Sequence, residues 1–341
     1  MWDLSVELPS ARIEDAAAEE ALVEAFHAAH RRVFEVEDRA SAVEFLSWTG
    51  RLSVSLPDIT VVSQGASHEQ APTRRQVWFD LDGAVEATVV RGDALQQGFP
   101  MIHAVGRAAA KHHAPRLIEI EWGKESHPRI ALVGKGISFD SGGLDIKPAA
   151  GMRLMKKDMG GAAHVLALAE LVMASGLPVR LHCLVAAAEN AISADAFRPG
   201  DVLKSRKGLT VEIGNTDAEG RLVLGDALAR AGEDQPELIV DFATLTGAAR
   251  TALGPDLPAL YANDDALADD LLAGGTDRDD PLWRMPLWDG YADLLETDIA
   301  DLGNAGSSPF AGSITAALFL KRFVPEGTPW AHFDTFAWRP S

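Results

Sequence analysis

Two short segments concentrate charged side chains at points where an apolar run ends. The segment NTDAEGRL (215–222) follows VEIG and places Asp217, Glu219 and Arg221 within five residues of one another. The segment VGKGISFDSGGLDIKP (133–148) carries two lysines and two aspartates. Because burying an unpaired carboxylate is costly, carboxylates that follow buried strands either pair with cations or coordinate a metal.

Simpler interpretations of the same segments compete with metal binding. Asn, Asp and Gly are common in solvated turns, and Lys135, Lys147 and Arg221 could neutralise the carboxylates in a structural ion-pair network. A phosphate-binding loop fails on spacing, since Gly136 follows Lys135 where that motif requires Ser or Thr. A nucleophilic role for Ser141 is disfavoured, because the G-x-S-x-G elbow is absent and no nearby histidine is an obvious base. From the residues alone, ion pairing and metal coordination both remain open.

Composition limits the classes of partner and ligand. The chain has 341 residues, 47% of them hydrophobic, and a formal net charge of −19. Binding to nucleic acid or to anionic membranes relies on basic surface, so we expect neither. Cys183 is the only cysteine, which leaves oxygen and nitrogen as the ligands for any metal. The N-terminus has neither a basic start nor a continuous apolar stretch, and we expect a cytoplasmic protein.

The elements that must position the charged segments alternate between strand and helix from about residue 100. The patterns predict strands at RLIEIEW, RIALVGK, VRLHCLVAAA, GLTVEIG and ELIVDFA, and helices at 100–112, 158–175 and 220–231. Such alternation indicates an α/β fold, with a mixed, mostly parallel sheet and helices on both faces. Loops at the carboxyl ends of such strands usually carry the chemistry, and three stand out: 133–148, 215–222 and 243–248.

The first 88 residues show a different pattern of predicted helices and strands. A helix is predicted over 15–35, and short strand-like runs follow at SVSL, ITVV, QVWF and EATVV. We therefore expect a small N-terminal α+β segment over residues 1–88 and the α/β domain over residues 89–341.

Four blocks of the sequence resemble the signature blocks of the leucyl aminopeptidase, or cytosol aminopeptidase, family of two-metal exopeptidases. They are VGKGISFDSGGLDIKP, LMKKDMGGAAHV, RPGDVLKSRKGLTVEIGNTDAEGRLVLGDAL and DFATLTGA. The resemblance extends over about residues 89–341 and implies that residues 89–341 have the fold of that family's catalytic domain.

By this resemblance, two divalent cations are held by five side chains: Lys135, Asp140, Asp158, Asp217 and Glu219. Asp140 and Glu219 would bridge the two ions. Lys135 and Asp158 would complete one site, and Asp217 the more exchangeable one. The family implies zinc or manganese, with magnesium and cobalt as alternatives. A lysine ligand must be neutral, so we expect adjacent cations and desolvation to lower the pKa of Lys135 strongly.

The resemblance also implies roles for five further residues. Lys147 matches the family's catalytic lysine, whose ammonium stabilises the oxyanion of the tetrahedral intermediate. Arg221 matches a residue that holds a bicarbonate ion, which shuttles the proton, because a guanidinium with a pKa above about 12 cannot itself be the base. Met155, Thr244 and Leu245 match positions that line or contact the substrate pocket.

The function implied is removal of the N-terminal residue, preferably leucine or another apolar residue, from peptides with a free N-terminus, through a hydroxide activated by two metals. Family members form hexamers, and we expect the same assembly here. Two alternatives remain open. One is a catalytically weak binding or scaffold protein on the same fold, and the other is a different two-metal amidase.

Two features depart from the family pattern. HFDTFAW (332–338) replaces the more usual HLDIAG, so that Phe336 and Trp338 alter the expected specificity pocket. Residues 1–88 do not resemble the family's N-terminal domain, and parts of them weakly resemble the C-terminal tail of hydantoinase/oxoprolinase A-type subunits. They carry no ATP-binding or hydrolytic motif, so we interpret them as a structural cap or an interaction module.

Overall fold

The computed structural model describes residues 15–34, 71–79 and 83–338, together with the single positions 6, 39 and 43. The chain divides into two compact units, Met1–Gln64 and Gly65–Ser341. Helix α1 (Ala16–Phe34) belongs to the first unit and agrees with the helix predicted over 15–35. The predicted strands SVSL and ITVV lie outside the described residues.

A nine-stranded mixed sheet forms the centre of the second unit. Its strands are β1 (Thr73–Trp78), β2 (Ala84–Val90), β3 (Arg116–Trp122), β4 (Arg129–Asp140), β5 (Arg180–Asn190), β8 (Leu238–Ala243), β9 (Ala259–Ala262), β10 (Trp283–Arg284) and β12 (Trp330–Asp334). The order across the sheet is β1-β2-β3-β5-β4-β8-β12-β9-β10. The four neighbours β5, β4, β8 and β12 are parallel to one another, so their carboxyl ends lie at one edge. A second sheet pairs β6 (Val202–Lys204), β7 (Thr210–Glu212) and β11 (Leu302–Gly303).

Helices cover both faces of the large sheet. They are α2 (Gly92–Gly98), α3 (Pro100–Gly106), α4 (Ala149–Met152), α5 (Gly160–Ala174), α6 (Glu219–Glu233), α7 (Gly247–Leu253), α8 (Asp265–Asp277) and α9 (Gly312–Lys321), with 3-10 turns at Lys111–His113, Met155–Lys157 and Asp289–Leu295. On one face α3, α6 and α9 bury Met101, Leu222 and Phe319 in a shared core. On the other face α5 buries Val165 and Ala169. The expected α/β class is confirmed.

None of the helices in the described ranges has the length and apolar character needed to cross a lipid bilayer.

The boundary expected at residue 88 differs from the division in the structure. Strand β1 pairs antiparallel with β2, and β2 pairs antiparallel with β3, so QVWF and EATVV extend the large sheet. Ala87, Val89 and Val90 are buried, as expected for a strand inside a sheet that is covered on both faces. The compact unit that carries the sheet therefore begins at Gly65. Periodicity identifies a strand but does not identify the sheet that it joins.

The helix predicted over 100–112 is shorter and is preceded by a separate helix. Pro100 is the first residue of α3, and Phe99 before it has φ −140° and ψ 65°, outside the helical region. A proline disfavours the helical conformation in the preceding residue, which explains the break between α2 and α3. The chain then leaves α3 at Gly106, where an added Cβ would lie 2.4 Å from the Pro115 side chain.

Candidate metal centre

Strand β4 delivers two charged residues to the edge where the parallel strands end. Lys135 lies within the strand and is only 3% exposed, and Asp140 is its last residue. Asp140 Oδ1 accepts hydrogen bonds from the Gly142 backbone N–H and from Asn190 Nδ2, both at 2.9 Å. Asn190 ends β5, the neighbouring strand. The carboxylate of Asp140 is therefore held in one orientation by two donors.

The turn that contains NTDAEGRL brings two more carboxylates to the same place. The side-chain oxygen of Asn215 accepts from the Asp217 N–H at 2.7 Å, which tightens the turn. Glu219 is the first residue of α6 and is 1% exposed. Next to it, a Cβ on Gly220 would lie 2.8 Å from Lys135 Nζ. Glycine at this position therefore permits the close approach of α6 to the lysine.

Lys135 lies among acceptors from three different segments, two carboxylates and one backbone oxygen. Its Nζ is 2.7 Å from Asp158 Oδ2 and 2.9 Å from Glu219 Oε1. It also donates to the backbone oxygen of Thr244 at 3.1 Å. The Thr244 hydroxyl in turn donates to Asp158 Oδ1 at 2.7 Å. Residues far apart in sequence thus form one buried polar cluster.

A second lysine bridges the remaining carboxylates. Lys147 Nζ is 2.7 Å from Asp140 Oδ2 and also contacts Asp217 Oδ1. The Lys147 side chain is 15% exposed and that of Asp217 is 31% exposed, compared with 3% for Lys135. The side of the cluster that carries Lys147 and Asp217 is therefore the one open to solvent.

The donor set suits divalent cations. One oxygen from each of Asp140, Asp217 and Glu219 lies within 4.8 Å of the others, close enough to share an ion. Glu219 Oε2 is buried and accepts no hydrogen bond from any residue in the described ranges. An unsatisfied buried carboxylate oxygen is costly, and carboxylate oxygens are preferred ligands of magnesium and manganese. All five side chains expected to bind metal meet here, and their chemistry fits such ions.

The charge state of the cluster differs from the expectation for Lys135. Burial favours the neutral amine, but the charges of Asp158, Glu219 and Asp140 outweigh it and raise the pKa of Lys135. The expected lowering depends on cations next to the amine; without them the lysine is an ammonium that pairs with the carboxylates. Burial, with the nearby charge of Asp140, raises the pKa of Glu219 to about 8. Burial likewise raises the pKa of Asp217 to about 6.

Metal binding should therefore release protons. At pH 7 without metal, the charges of Asp158 and Asp140 keep Lys135 protonated, and Glu219, with a pKa of about 8, is mostly protonated; each must lose its proton to become a ligand. We expect manganese binding to the metal-stripped protein to release about two protons at pH 7. Toward pH 9 the number should fall toward about one, because Glu219 is already ionised there. Affinity should fall with pH over this whole range because Lys135 must lose its proton, and it should fall more steeply below about pH 8, where protons also compete for Glu219.

Calorimetric titrations in buffers of different ionisation enthalpy measure this proton release. Binding at pH 7 without any release would contradict the protonation states described for the metal-free cluster.

Arg221 lies on α6 beside the cluster. Its guanidinium carbon is 5.9 Å from the centre of the Phe319 ring, and the residue is 9% exposed. Within the described part of the chain, its Nε and Nη1 have no hydrogen-bond acceptor. Burial lowers the pKa of Arg221 to about 10, which leaves it charged at neutral pH. A buried cation with free donors fits a small planar anion such as bicarbonate.

Of the three residues expected to contact the substrate, two lie beside the cluster and one lies farther from it. Thr244 contacts both Lys135 and Asp158, as described above. Leu245 lies against α6, where its Cδ1 would be 3.0 Å from a Cβ on Gly220. Met155 is half-buried in the 3-10 turn before Asp158, and its backbone oxygen accepts from the Asp158 N–H at 3.3 Å. Thr244 and Leu245 thus border the cluster, whereas Met155 lies one turn before it.

Other polar residues of the loops hold the cluster in place. Asp145 Oδ2 accepts from the Thr216 N–H at 2.7 Å and so ties the two charged loops together. The Ser141 hydroxyl donates to the backbone oxygen of Asn190 at 2.7 Å, which agrees with a structural role for that serine.

Two positioning residues were not predicted. Asn190 orients Asp140, and Asp334 Oδ1 accepts from the Leu245 and Thr246 N–H groups at 3.0 and 3.1 Å. Both are the last residues of their strands, β5 and β12. A polar residue at the carboxyl end of a predicted central strand pointed to Asp140. The same feature could have identified Asn190 and Asp334.

Comparisons with known proteins agree with these observations. The sequence profile of the cytosol aminopeptidase family, catalytic domain, matches residues 62–340. A probable cytosol aminopeptidase of Syntrophotalea carbinolica is 46% identical over 253 residues, which cover 73% of this chain and 50% of the relative. One from Pseudomonas fluorescens (strain Pf0-1) is 48% identical, with 70% of this chain and 47% of the relative covered. The chain thus spans about half the length of the curated relatives that it matches.

Solved structures agree as well. The crystal structure of a cytosol aminopeptidase from Coxiella burnetii superimposes with a TM-score of 0.72 at 55% identity, covering 74% of this chain and 55% of that one. The bottromycin maturation enzyme BotP in complex with Mn gives a TM-score of 0.69 at 41% identity, covering 74% and 55%. The expected resemblance is confirmed, and this chain belongs to the cytosol aminopeptidase family.

Proposed function

We propose that this chain is a metal-dependent aminopeptidase, which removes the N-terminal residue from peptides. The observation that carries the proposal is the buried group of Asp140, Asp217 and Glu219, whose oxygens lie within 4.8 Å of one another. Lys135 and Asp158 adjoin this group and complete a ligand set for two divalent ions. Such ions polarise a peptide carbonyl and lower the pKa of water. Manganese is supported by the related enzyme BotP, which was solved in complex with Mn; zinc, magnesium and cobalt remain alternatives.

Lys147 has the position and charge to act on the substrate directly. Its ammonium lies at the open side of the cluster and contacts both Asp140 and Asp217. A peptide that enters from this side meets the ammonium before it meets the deeper Lys135. We assign Lys147 to stabilise the negative charge that develops on the carbonyl oxygen of the scissile bond.

Arg221 is proposed to hold a bicarbonate ion. Support comes from its two buried N–H donors, which lack acceptors in the described ranges. A bicarbonate bound there would accept the proton of the attacking water, which the guanidinium, still charged at neutral pH, cannot do.

For the first residue of the substrate we propose leucine or another apolar residue. Leu245 and Met155 offer apolar contact near the cluster, and Thr244 links the pocket to Lys135 and Asp158. A free amino group on the substrate would lie among the carboxylates, and this requirement separates an aminopeptidase from other two-metal amidases.

Assembly into hexamers is part of the proposal. Trp283, Trp288, Ile299 and Phe310 are 57%, 57%, 61% and 78% exposed, and all lie within one stretch of the chain. The hexamer itself is proposed from the family to which the chain belongs; these side chains would mark a surface that another protein covers where they form one contiguous patch. A mass measurement in solution tests this part, with six copies of the chain as the expected result.

The activity is tested with a leucine anilide. The protein reconstituted with manganese or zinc should release leucine, and a chelator should abolish the release. The N-acetylated anilide should remain uncleaved, because its amino group is blocked. Cleavage of the blocked substrate would instead support a different amidase. A folded, metal-loaded protein that cleaves no substrate with a free N-terminus would overturn the proposal and favour a binding or scaffold role.

A further inference from the structure

Three cationic side chains gather around two aromatic rings just after β12. Lys157 Nζ lies 4.6 Å from the centre of the Phe336 ring, and the guanidinium carbon of Arg250 lies 4.8 Å from the same centre. Lys156 Nζ lies 5.3 Å from the centre of the Trp338 ring. We call Lys157, Arg250 and Phe336 the cation–aromatic cluster.

The two cations of this cluster have no directly paired carboxylate among the described residues, although the charges of Asp158 and Asp334 act on Lys157 from farther away. In the described part of the chain, neither Lys157 nor Arg250 forms an ion pair or a side-chain hydrogen bond with a carboxylate. For the buried Lys157 this is unexpected in a chain with a net charge of −19, where carboxylates are abundant, whereas Arg250 is exposed to solvent. Lys157 is only 9% exposed, so water compensates it poorly. A cation–π contact offsets only part of the cost of burying a charge, and two like charges at one ring repel each other.

The cation–aromatic cluster adjoins the candidate metal centre, both along the chain and through packing contacts. Lys157 directly precedes Asp158. A Cβ on Gly160 would lie 2.4 Å from the Cβ of Ala337 and 2.9 Å from Thr244, so the segment after β12 packs tightly against the start of α5. Arg250 lies on α7. The N-cap residue of this helix, Thr246, donates a hydrogen bond from its hydroxyl to Asp334 Oδ2 at 2.6 Å. The same loops therefore position the cluster and Thr244.

We propose that Lys157 and Arg250 form, with the Phe336 ring, a subsite for a carboxylate carried by the peptide substrate. The inference rests on the proposed aminopeptidase function and specifies its substrate class further. Arginine binds a carboxylate through two parallel N–H bonds, and the lysine ammonium adds a point charge. The ring offers an apolar surface to the methylene groups beside the carboxylate.

Two parts of a peptide could supply that carboxylate. One is the C-terminus of a short peptide, and the other is an acidic side chain. Three pairs of substrates separate them: Leu-Gly-Gly and its C-terminal amide, Leu-Asp-amide and Leu-Asn-amide, and the anilides of glutamate and glutamine. The readout is the ratio of kcat/KM within each pair, which cancels any general change in activity.

At least one pair should favour the carboxylate by about tenfold in the unaltered protein, as expected for charge-assisted hydrogen bonds. The pair that shows the preference identifies the source. The double variant Lys157→Met, Arg250→Met should bring that ratio close to one, since methionine keeps the apolar stem and removes the charge. Arg153→Met is the matched control, because Arg153 is exposed, carries the same charge and should leave every ratio unchanged.

A second double variant, Lys157→Glu with Arg250→Glu, should reverse the preference toward peptides with a basic group at the same place. The inference is overturned if the unaltered protein shows no preference in any pair, or if the preference survives the methionine variant. Failure of the proposed function is distinguishable, because a protein without that activity would cleave neither member of any pair nor the leucine anilide.

Discussion

Replacement of Glu219 by alanine is expected to lower kcat/KM for a leucine anilide by at least about a thousandfold, which corresponds to about 4 kcal/mol of transition-state stabilisation. Glu219 is 1% exposed, and its two oxygens face different neighbours: Oε1 lies 2.9 Å from Lys135 Nζ, and Oε2 has no donor among the described residues. In the proposed centre Glu219 would be a ligand shared by both ions, so its loss should also reduce the bound metal below two ions per chain.

Two further variants make this result interpretable. Glu219→Gln keeps the volume of the side chain but removes the charge, and it should lose as much activity as the alanine variant. Glu237→Ala removes an exposed carboxylate, and it should retain full activity and full metal content. A Glu219→Gln variant with two ions per chain and near-normal kcat/KM would contradict the role assigned to Glu219.

Replacement of Lys147 by alanine should lower activity without loss of metal, unlike the replacement of Glu219. We expect kcat to fall by about a hundredfold to a thousandfold, with KM changed little, because the ammonium acts on charge that develops in the transition state. Metal binding should be retained or strengthened. In the metal-free protein the ammonium occupies Asp140 and Asp217, so its removal ends its competition with the cations.

Steady-state kinetics and metal titration on the same preparation test this signature. Lys124→Ala, at an exposed position, is the matched control and should change neither quantity. If Lys147→Ala lost activity only because it lost metal, the lysine would be part of the ion-binding framework, and its assignment to the oxyanion would be wrong.

Most of the loops that carry the candidate metal ligands could be predicted from the sequence. Charged residues at the ends of apolar strands predicted the loop after β4 and the NTDAEGRL turn, and the strand–helix alternation predicted a third loop after β8. The parallel strands β4 and β8 bring two of these loops to one edge of the large sheet. The NTDAEGRL turn instead follows β7 of the smaller sheet, which the pattern did not reveal. The resemblance then assigned individual side chains. The structure brings Asp140, Asp217 and Glu219 together in space, and their role as ligands remains a proposal.

Other features depend on tertiary packing and could not be obtained from local patterns. Periodicity did not reveal that β1 and β2 join the large sheet. The protonation of Lys135 depends on three carboxylates from separate segments. The bonds from Asp334 to the loop of Leu245 connect residues that are 89 positions apart. The cation–aromatic cluster likewise joins the turn before α5 to the residues after β12.

The most direct test of the two-metal centre is anomalous diffraction from crystals of the full chain soaked in manganese. We expect two anomalous peaks per chain, both bordered by Asp140 and Glu219, with Lys135 and Asp158 at one and Asp217 at the other. Crystals that diffract well and show no peak between these side chains, with Lys135 and Lys147 still paired to the carboxylates, would contradict the proposed centre.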